Sequence, residues 1–347
     1  MTNLVQDMSW HVTHDTVRPR VNWRQIGLFL GLTFALTWLL DLALWLTGGY
    51  GSPGTLIALN LQMLIPAFSA TVLGLFVFKD HPIHVRNQAG KPRWFFYFFL
   101  AYTLAYTALA VVALAAPAQA GLLNRAGIGL ALPGLILLLV LRLTGGREAM
   151  ARVGLAGGKW TYWLLGGAGL VLFYSAQMGL NALFGLGQPA DTAAIAAQAG
   201  MPPATFLAIV TAQTLLMSPF LGLITVWGEE YGWRGYLQDA LNGLGRVKGT
   251  LVLGIIWGLW HAPAVAMGHN FPNHPLLGIV LMTIYSTLLA YVLGYAVLKS
   301  GNTLLAAFLH QLNNGFGAYL TTFWYKPDDF AFSFFAGGLY GLPLLLI

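Results

Sequence analysis

The chain lacks cysteine altogether and has few charged residues among its 347 residues. The absence of cysteine excludes disulfides, thiolate metal sites and a cysteine nucleophile. Charged residues make up 8% of the chain, whereas a soluble domain contains roughly 25%. Together with 57% hydrophobic residues and a mean hydropathy of +0.69, this composition indicates a polytopic membrane protein.

Long apolar runs take the place of the missing charges. A helix needs about 20 apolar residues to span a bilayer. Runs that reach or approach this length lie at 25–48, 55–78, 94–116, 122–142, 160–186, 204–227, 249–267, 275–298, 302–322 and 331–347. They predict an all-α bundle of about 8–10 transmembrane helices embedded in the lipid bilayer.

The basic residues predict the orientation of this bundle, because lysine and arginine near span ends stay on the cytoplasmic side. If the N-terminus is cytoplasmic, all but two of the 17 basic residues fall inside, and the exceptions are Arg125 and Lys326. We therefore expect a cytoplasmic N-terminus and insertion in the cytoplasmic membrane. The net charge of +6 is explained by cytoplasmic loops near anionic lipid, without a nucleic-acid partner.

The ionisable groups divide the chain into regions. We distinguish a cytoplasmic segment at 1–22, N-terminal helices at 23–200 and a C-terminal region at 201–347, which holds all the motifs described below, between 229 and 314. Ionisable side chains in lipid cost at least a few kcal/mol, so they point to a functional site. The C-terminal region is therefore the candidate catalytic region.

The ionisable side chains and Asn314 of the C-terminal region are expected to lie at similar depths in the membrane. At 1.5 Å per residue, Glu229 lies roughly 14 Å from the cytoplasmic end of its helix, while His261 and His310 lie roughly 18 and 12 Å from theirs. The same rise puts Asn314 roughly 18 Å deep. A shared depth predicts one polar cavity, which we expect to open toward the cytoplasm.

Helix geometry separates the two glutamates. Glu230 and Arg234 are i,i+4 neighbours in the favourable order, so they are expected to pair. Glu229 points about 100° away and has no basic partner at i+3 or i+4. Desolvation of a free carboxylate moves it toward the basicity that a general base needs.

Two further spacings bear on the site. His310 and Asn314 are also i,i+4 neighbours, and both can donate hydrogen bonds to an oxyanion. The pairs Gly228-xxx-Gly232 and Gly254-xxx-Gly258 predict close helix approach, because small residues at this spacing let backbones come together. The predicted site is thus built from several closely packed helices.

Three motifs follow one another in the C-terminal region: Glu-Glu-x-x-x-Arg at 229–234, aromatic-x-x-x-His at Trp257–His261 and His-x-x-x-Asn at His310–Asn314. In spacing and order they resemble the CAAX protease and bacteriocin-processing (CPBP, or Abi) family of intramembrane endopeptidases. In the family the aromatic residue is often Phe, and Trp257 can equally pack beside the histidine.

The resemblance implies hydrolysis of peptide bonds in a membrane-associated protein or peptide. It implies that Glu229 activates water with help from His261, and that His310 and Asn314 stabilise the oxyanion. Arg234 would orient Glu230.

Several alternatives stay open. We expect a glutamate mechanism that requires no metal or other cofactor, but Glu229, His261 and His310 could form a zinc site with an open water position. The H-E-x-x-H pairing of familiar zinc proteases is absent from the sequence. Other possibilities are a transporter that uses Glu229 and the histidines as a proton relay, or a non-catalytic membrane scaffold or immunity protein of the same fold.

Overall fold

A computed structural model describes residues 21–87 and 90–329. Within these residues the chain is almost wholly helical, and its strands, β1 (Gly187–Pro189) and β2 (Tyr325–Pro327), form one short antiparallel pair. The predicted all-α class is therefore confirmed.

The helices of the first half are α1 (Trp23–Leu46), α2 (Thr55–Val72), α3 (Arg93–Ala115), α4 (Ala120–Gly129), α5 (Leu132–Thr144), α6 (Arg147–Arg152) and α7 (Trp160–Leu183). Those of the second half are α8 (Thr192–Gln198), α9 (Pro203–Ala212), α10 (Ser218–Leu221), α11 (Leu223–Glu230), α12 (Gln238–Leu241), α13 (Arg246–Trp260), α14 (Ala262–Ala266), α15 (Pro275–Ser300) and α16 (Thr303–Phe323).

Seven helical stretches of the described residues are long and apolar enough to cross a membrane. They are Trp23–Leu46, Thr55–Val77, Arg93–Ala115, Pro117–Thr144, Trp160–Leu183, Pro203–Leu221 and Pro275–Ser300. The chain is thus an integral, multi-pass membrane protein. The predicted runs at 249–267 and 302–322 are helical as well, in α13, α14 and α16, whereas the predicted run at 331–347 lies outside the described residues.

The predicted helix at 249–267 is interrupted at His261. Helix α13 ends at Trp260, and α14 begins at Ala262 with Pro263 in its first turn. Proline has no N–H to donate to the preceding turn, so the helix breaks there. His261 therefore sits at a helix end and not in a continuous helix.

The segment that carries the glutamates is also irregular. Pro219 lies in the first turn of α10, directly after a π-helical turn at Gln213–Met217. Beyond Glu230 the helix continues as π-helical residues Tyr231–Leu237 and then as α12. The helical segment thus continues past the glutamates, and π-helical turns of this kind are frequent at functional sites.

Both predicted glycine pairs lie at close helix contacts. A Cβ atom at Gly232 would lie 2.3 Å from Pro66 Cβ on α2, and one at Gly258 would lie 2.4 Å from Thr283 Cα on α15. The partners of the two glycine-bearing helices are thus α2 and α15. These contacts hold Glu229 against α2 and the end of α13 against α15.

The connecting segments gather at two ends of the bundle. What we call the β end comprises 47–54, 184–202, 267–274 and 324–329, and the α6 end comprises 78–87, 90–92, 145–159, 242–245 and 301–302. At the β end, β1 pairs with β2, Tyr50 Oη lies 3.3 Å from His269 Nδ1, and His274 Nε2 lies 3.0 Å from Asp329 Oδ2. At the α6 end, Leu155 forms a β-bridge with Asn302. These contacts link all four β-end segments to one another and link 145–159 to 301–302 at the α6 end.

We expect Gly258→Ala to destabilise the protein by about 1–3 kcal/mol, because the new methyl group would overlap the α15 backbone and force the helices apart. A lower melting temperature in detergent would report this loss. Gly31→Ala on α1 is the matched control, since no atom lies within 4 Å of its Cβ position. Equal melting temperatures for the two variants would contradict the close contact of α13 with α15.

Candidate active site

A cavity of about 520 Å³ lies inside the bundle. Its wall includes the four predicted catalytic residues, Glu229, His261, His310 and Asn314, together with Trp257. These residues come from α11, the break after α13, α16 and α13 itself. The structure thus brings together, in one cavity, side chains that are up to 85 positions apart by their numbers in the sequence.

Glu230 and Arg234 lie behind this wall. The predicted pair is present, with Arg234 Nη1 donating to Glu230 Oε1 at 3.0 Å. His310 Nδ1 lies 2.7 Å from the same oxygen. All three residues are buried, so one carboxylate oxygen joins the arginine of the first motif to the histidine of the third. The sequence did not predict this second contact.

Trp257 contacts most of the site. Its Nε1–H donates to Glu229 Oε1 at 2.5 Å, and its backbone carbonyl lies 2.8 Å from His261 Nδ1. Its ring lies 4.0 Å from the Arg234 guanidinium carbon and packs edge-on against His310. The sequence predicted that Glu229 has no basic partner on its own helix, and in the structure its hydrogen bond comes from a neutral donor, the Trp257 indole. The indole N–H, which Phe would lack, was the available signal for this contact.

These contacts assign the ring nitrogens of both histidines. A carbonyl oxygen only accepts, so His261 Nδ1 carries the hydrogen, and Nε2 of the neutral ring is an acceptor. His310 Nδ1 likewise donates to the Glu230 carboxylate. In each ring the protein occupies Nδ1, which leaves Nε2 for other partners.

Asn314 is oriented by hydrogen bonds that begin at two tyrosines. The sequence analysis did not identify either tyrosine. Tyr174 and Tyr285 Oη lie 2.6 and 2.7 Å from Asn313 Oδ1, and Asn313 Nδ2 donates to Asn314 Oδ1 at 3.1 Å. Because Asn314 Oδ1 accepts this bond, its Nδ2 is the end available as a donor to the cavity. Tyr174 lies on α7, so the N-terminal helices contribute to the site.

The residues do not provide a ready metal site. Within the described part of the chain, no group of three His, Asp or Glu side chains lies close enough together to hold a metal ion. Glu229, His261 and His310 line the same cavity, and each histidine bonds to the protein through Nδ1 only. As arranged, however, these three side chains are not among the groups that could hold a metal ion.

A second cavity, of about 550 Å³, approaches the site from the other side. Arg234 lines it, together with Asp80, His81 and Asp239. His81 lies in the segment after α2, where burial, with a smaller effect from His84, lowers its pKa to about 4. The ring of His81 stacks on Tyr236 at 5.5 Å. The Glu230–Arg234 pair therefore lies between two cavities.

Two of the comparisons with known proteins give matches. Residues 211–316 match the family model described as type II CAAX prenyl endopeptidase Rce1-like. A stretch of 53 residues is 38% identical to the CAAX prenyl protease 2 of Methanococcus maripaludis. This stretch covers 15% of the present chain and 20% of that protein. No solved structure matches the chain.

The matched family segment contains every residue of the three motifs, from Glu229 to Asn314. It also contains Trp257 and Tyr285, although it excludes Tyr174. The part of the chain that carries the three motifs, residues 211–316, is therefore similar to the Rce1-like type II CAAX prenyl endopeptidases, which is consistent with the CPBP resemblance of those motifs.

Proposed function

We propose that this protein is an intramembrane endopeptidase that hydrolyses peptide bonds of membrane-associated proteins or peptides. The observation that carries the proposal is that Glu229, His261, His310 and Asn314 line a single cavity. The Rce1-like match over 211–316 supports the same activity. We propose the cytoplasmic membrane as its location, on the basis of the basic residues that gather at one end of the bundle.

Glu229 is the general base in this mechanism. Water donates one hydrogen bond to the Glu229 carboxylate and the other to His261 Nε2, which is an acceptor. Glu229 takes one proton as the water oxygen attacks the carbonyl carbon, and the carbonyl electron pair moves onto its oxygen. When the tetrahedral intermediate collapses, the C–N bond breaks and the proton passes to the leaving nitrogen. The products are a carboxylic acid and an amine.

Asn314 and His310 stabilise the oxyanion. Asn314 Nδ2 is available as a donor because Asn313 occupies Asn314 Oδ1. His310 donates from Nε2 when both of its ring nitrogens carry hydrogen, and the two carboxylates, Glu229 and Glu230, then balance the charges of His310 and Arg234. Preorganised donors in a site with little water contribute strongly to stabilisation of such an intermediate.

The mechanism requires no metal ion. The contacts of Glu229 with Trp257, and of the two histidines with Trp257 and Glu230, suit a base and hydrogen-bond donors. Within the described residues, these three side chains do not form a group that could hold one metal ion.

A proton-coupled transporter is the second candidate. It is favoured by the two cavities that flank the Glu230–Arg234 pair, because intramembrane ionisable groups between two openings are typical of proton relays. A scaffold or immunity protein of the same fold would require neither transport nor Glu229. The roles of Glu229 and Asn314 distinguish these functions.

We expect Glu229→Gln to reduce peptide cleavage by about 10²–10⁴-fold, because the amide cannot accept the proton from water. The assay is cleavage of a mixed membrane-peptide library by purified protein in detergent, with and without a strong chelator. Cleavage by the wild type should withstand the chelator.

Glu148→Gln, an exposed change on α6, is the matched control and should retain full activity. Loss of wild-type cleavage on chelation, with recovery on adding zinc, would contradict the metal-free mechanism. Equal cleavage by wild type and Glu229→Gln would contradict the protease proposal.

We expect Asn314→Leu to lower kcat by about 10²–10³-fold, because it removes an oxyanion donor while retaining similar volume. Gln311→Leu is the control on the same helix, since Gln311 bonds to Ser218 and does not line the cavity. A transporter should show solute flux in vesicles that both substitutions leave intact, and that result would favour the second candidate.

We expect Trp257→Phe to reduce kcat by about 10-fold or more, because a hydrogen bond to a charged group contributes about 1.5–3 kcal/mol. The new ring still packs against Arg234 and His310, but no N–H reaches Glu229. Trp227→Phe is the control, since its indole donates to Thr303 away from the catalytic cavity. If both variants lost the same activity, the Trp257–Glu229 bond would have no specific role.

A further inference from the structure

We propose that the catalytic cavity receives its substrate from the outer face of the membrane. The substrate would then be an exported peptide, or the outward-facing segment of a membrane protein. This inference rests on the proposed function and adds the side from which the peptide arrives. Three observations carry it: the extent of the cavity, the arrangement of the second cavity and the distribution of basic residues.

The catalytic cavity extends toward the β end of the bundle. His269 and Asn270, which line it, belong to the 267–274 segment. Leu56 is the second residue of α2, and Asn181 and Thr321 lie two residues before the ends of α7 and α16. Each of these lining residues is at or close to a β-end segment. The cavity therefore extends from Glu229 to the β end, where a peptide can enter it.

The α6 end leads to a different cavity. Asp80, His81, Arg152 and Gly301 line the second cavity and belong to α6-end segments. The two cavities have no lining residue in common. Buried Arg234 lines only the second one, and its bond to Glu230 lies between them. A peptide at the α6 end is thus separated from Glu229 by the Glu230–Arg234 pair.

The basic residues assign the two ends to the two faces of the membrane. Among the described residues, Arg125 and Lys326 are the basic residues nearer the β end. Apart from buried Arg234, the others lie at the α6 end or in helix turns beside it. Because basic residues stay on the cytoplasmic side, the α6 end is cytoplasmic and the β end is outside.

The orientation of the bundle conflicts with one of the two expectations drawn from the sequence. A cytoplasmic N-terminus and a cavity open toward the cytoplasm cannot both hold, because the cavity extends to the end opposite the basic residues. With the N-terminus cytoplasmic, the catalytic cavity opens toward the outer face of the membrane. The shared depth of the site residues located the cavity within the membrane but carried no information about the end at which it opens.

The chemistry of the outer part of the cavity suits a peptide. Asn60, Gln177, Asn181 and Asn270 line it, and each carboxamide has both donor and acceptor atoms, as a peptide group does. Lysine and arginine are absent from the lining that the structure describes. The cavity therefore offers hydrogen-bond partners to a peptide backbone but no lysine or arginine to an acidic side chain, so it favours peptide segments without acidic residues.

The absence of cysteine makes the sidedness directly measurable. Asn273→Cys marks the β end and Arg86→Cys marks the α6 end, and both positions are exposed. We expect a membrane-impermeant maleimide to label Asn273→Cys in intact spheroplasts, and Arg86→Cys only in inverted membrane vesicles. The reverse pattern would overturn the inference without reference to any activity.

The second measurement tests the path of the substrate. A mixed peptide library with a charged, membrane-impermeant tag is offered to spheroplasts and to inverted vesicles that contain the wild type or Glu229→Gln. We expect Glu229-dependent cleavage in spheroplasts and its loss in inverted vesicles.

The outcomes separate the two proposals. Glu229-dependent cleavage in inverted vesicles, alone or equal to that in spheroplasts, overturns the outer access but leaves the protease proposal standing. No Glu229-dependent cleavage in either preparation or in detergent overturns both proposals.

Discussion

A buried carboxylate in a membrane requires donors, and the structure of the site follows from how Glu230 meets that requirement. One of its oxygens accepts from Arg234 on its own helical segment and from His310 on α16. Removing one partner of such a buried pair typically costs about 3–5 kcal/mol. The positions of α11 and α16 are therefore coupled, and the His310 ring is held in the orientation that presents Nε2 away from Glu230.

Trp257 extends this arrangement to the third motif. A single residue on α13 contacts Glu229, His261, His310 and Arg234, through its indole N–H, its carbonyl and its ring. The helix break after Trp260 frees His261 from the regular helical pattern while its Nδ1 stays bonded to Trp257. The charged groups behind the cavity wall and the groups lining it thus form one connected network.

The sequence predicted those features that depend on local spacing. Apolar runs predicted the helices, and i,i+4 spacing predicted the Glu230–Arg234 pair, because both depend on neighbours along one helix. The Glu230–His310 and Tyr174–Asn313 bonds join residues 80 and 139 positions apart, and they depend on how helices pack. No single-helix pattern contains that information. The break at His261 was accessible from Pro263, whereas the extent of the cavity was not.

The thin layer between the two cavities also has an electrical consequence. A transmembrane voltage falls mainly across low-dielectric material. Because the two cavities approach the Glu230–Arg234 pair from opposite sides, most of the voltage drop falls on the protein around this pair. Carrying one elementary charge across 100 mV involves about 2.3 kcal/mol. The same ion pair that orients His310 therefore lies where the voltage changes most steeply, so its two charges feel the membrane potential more strongly than charges at either end of the bundle.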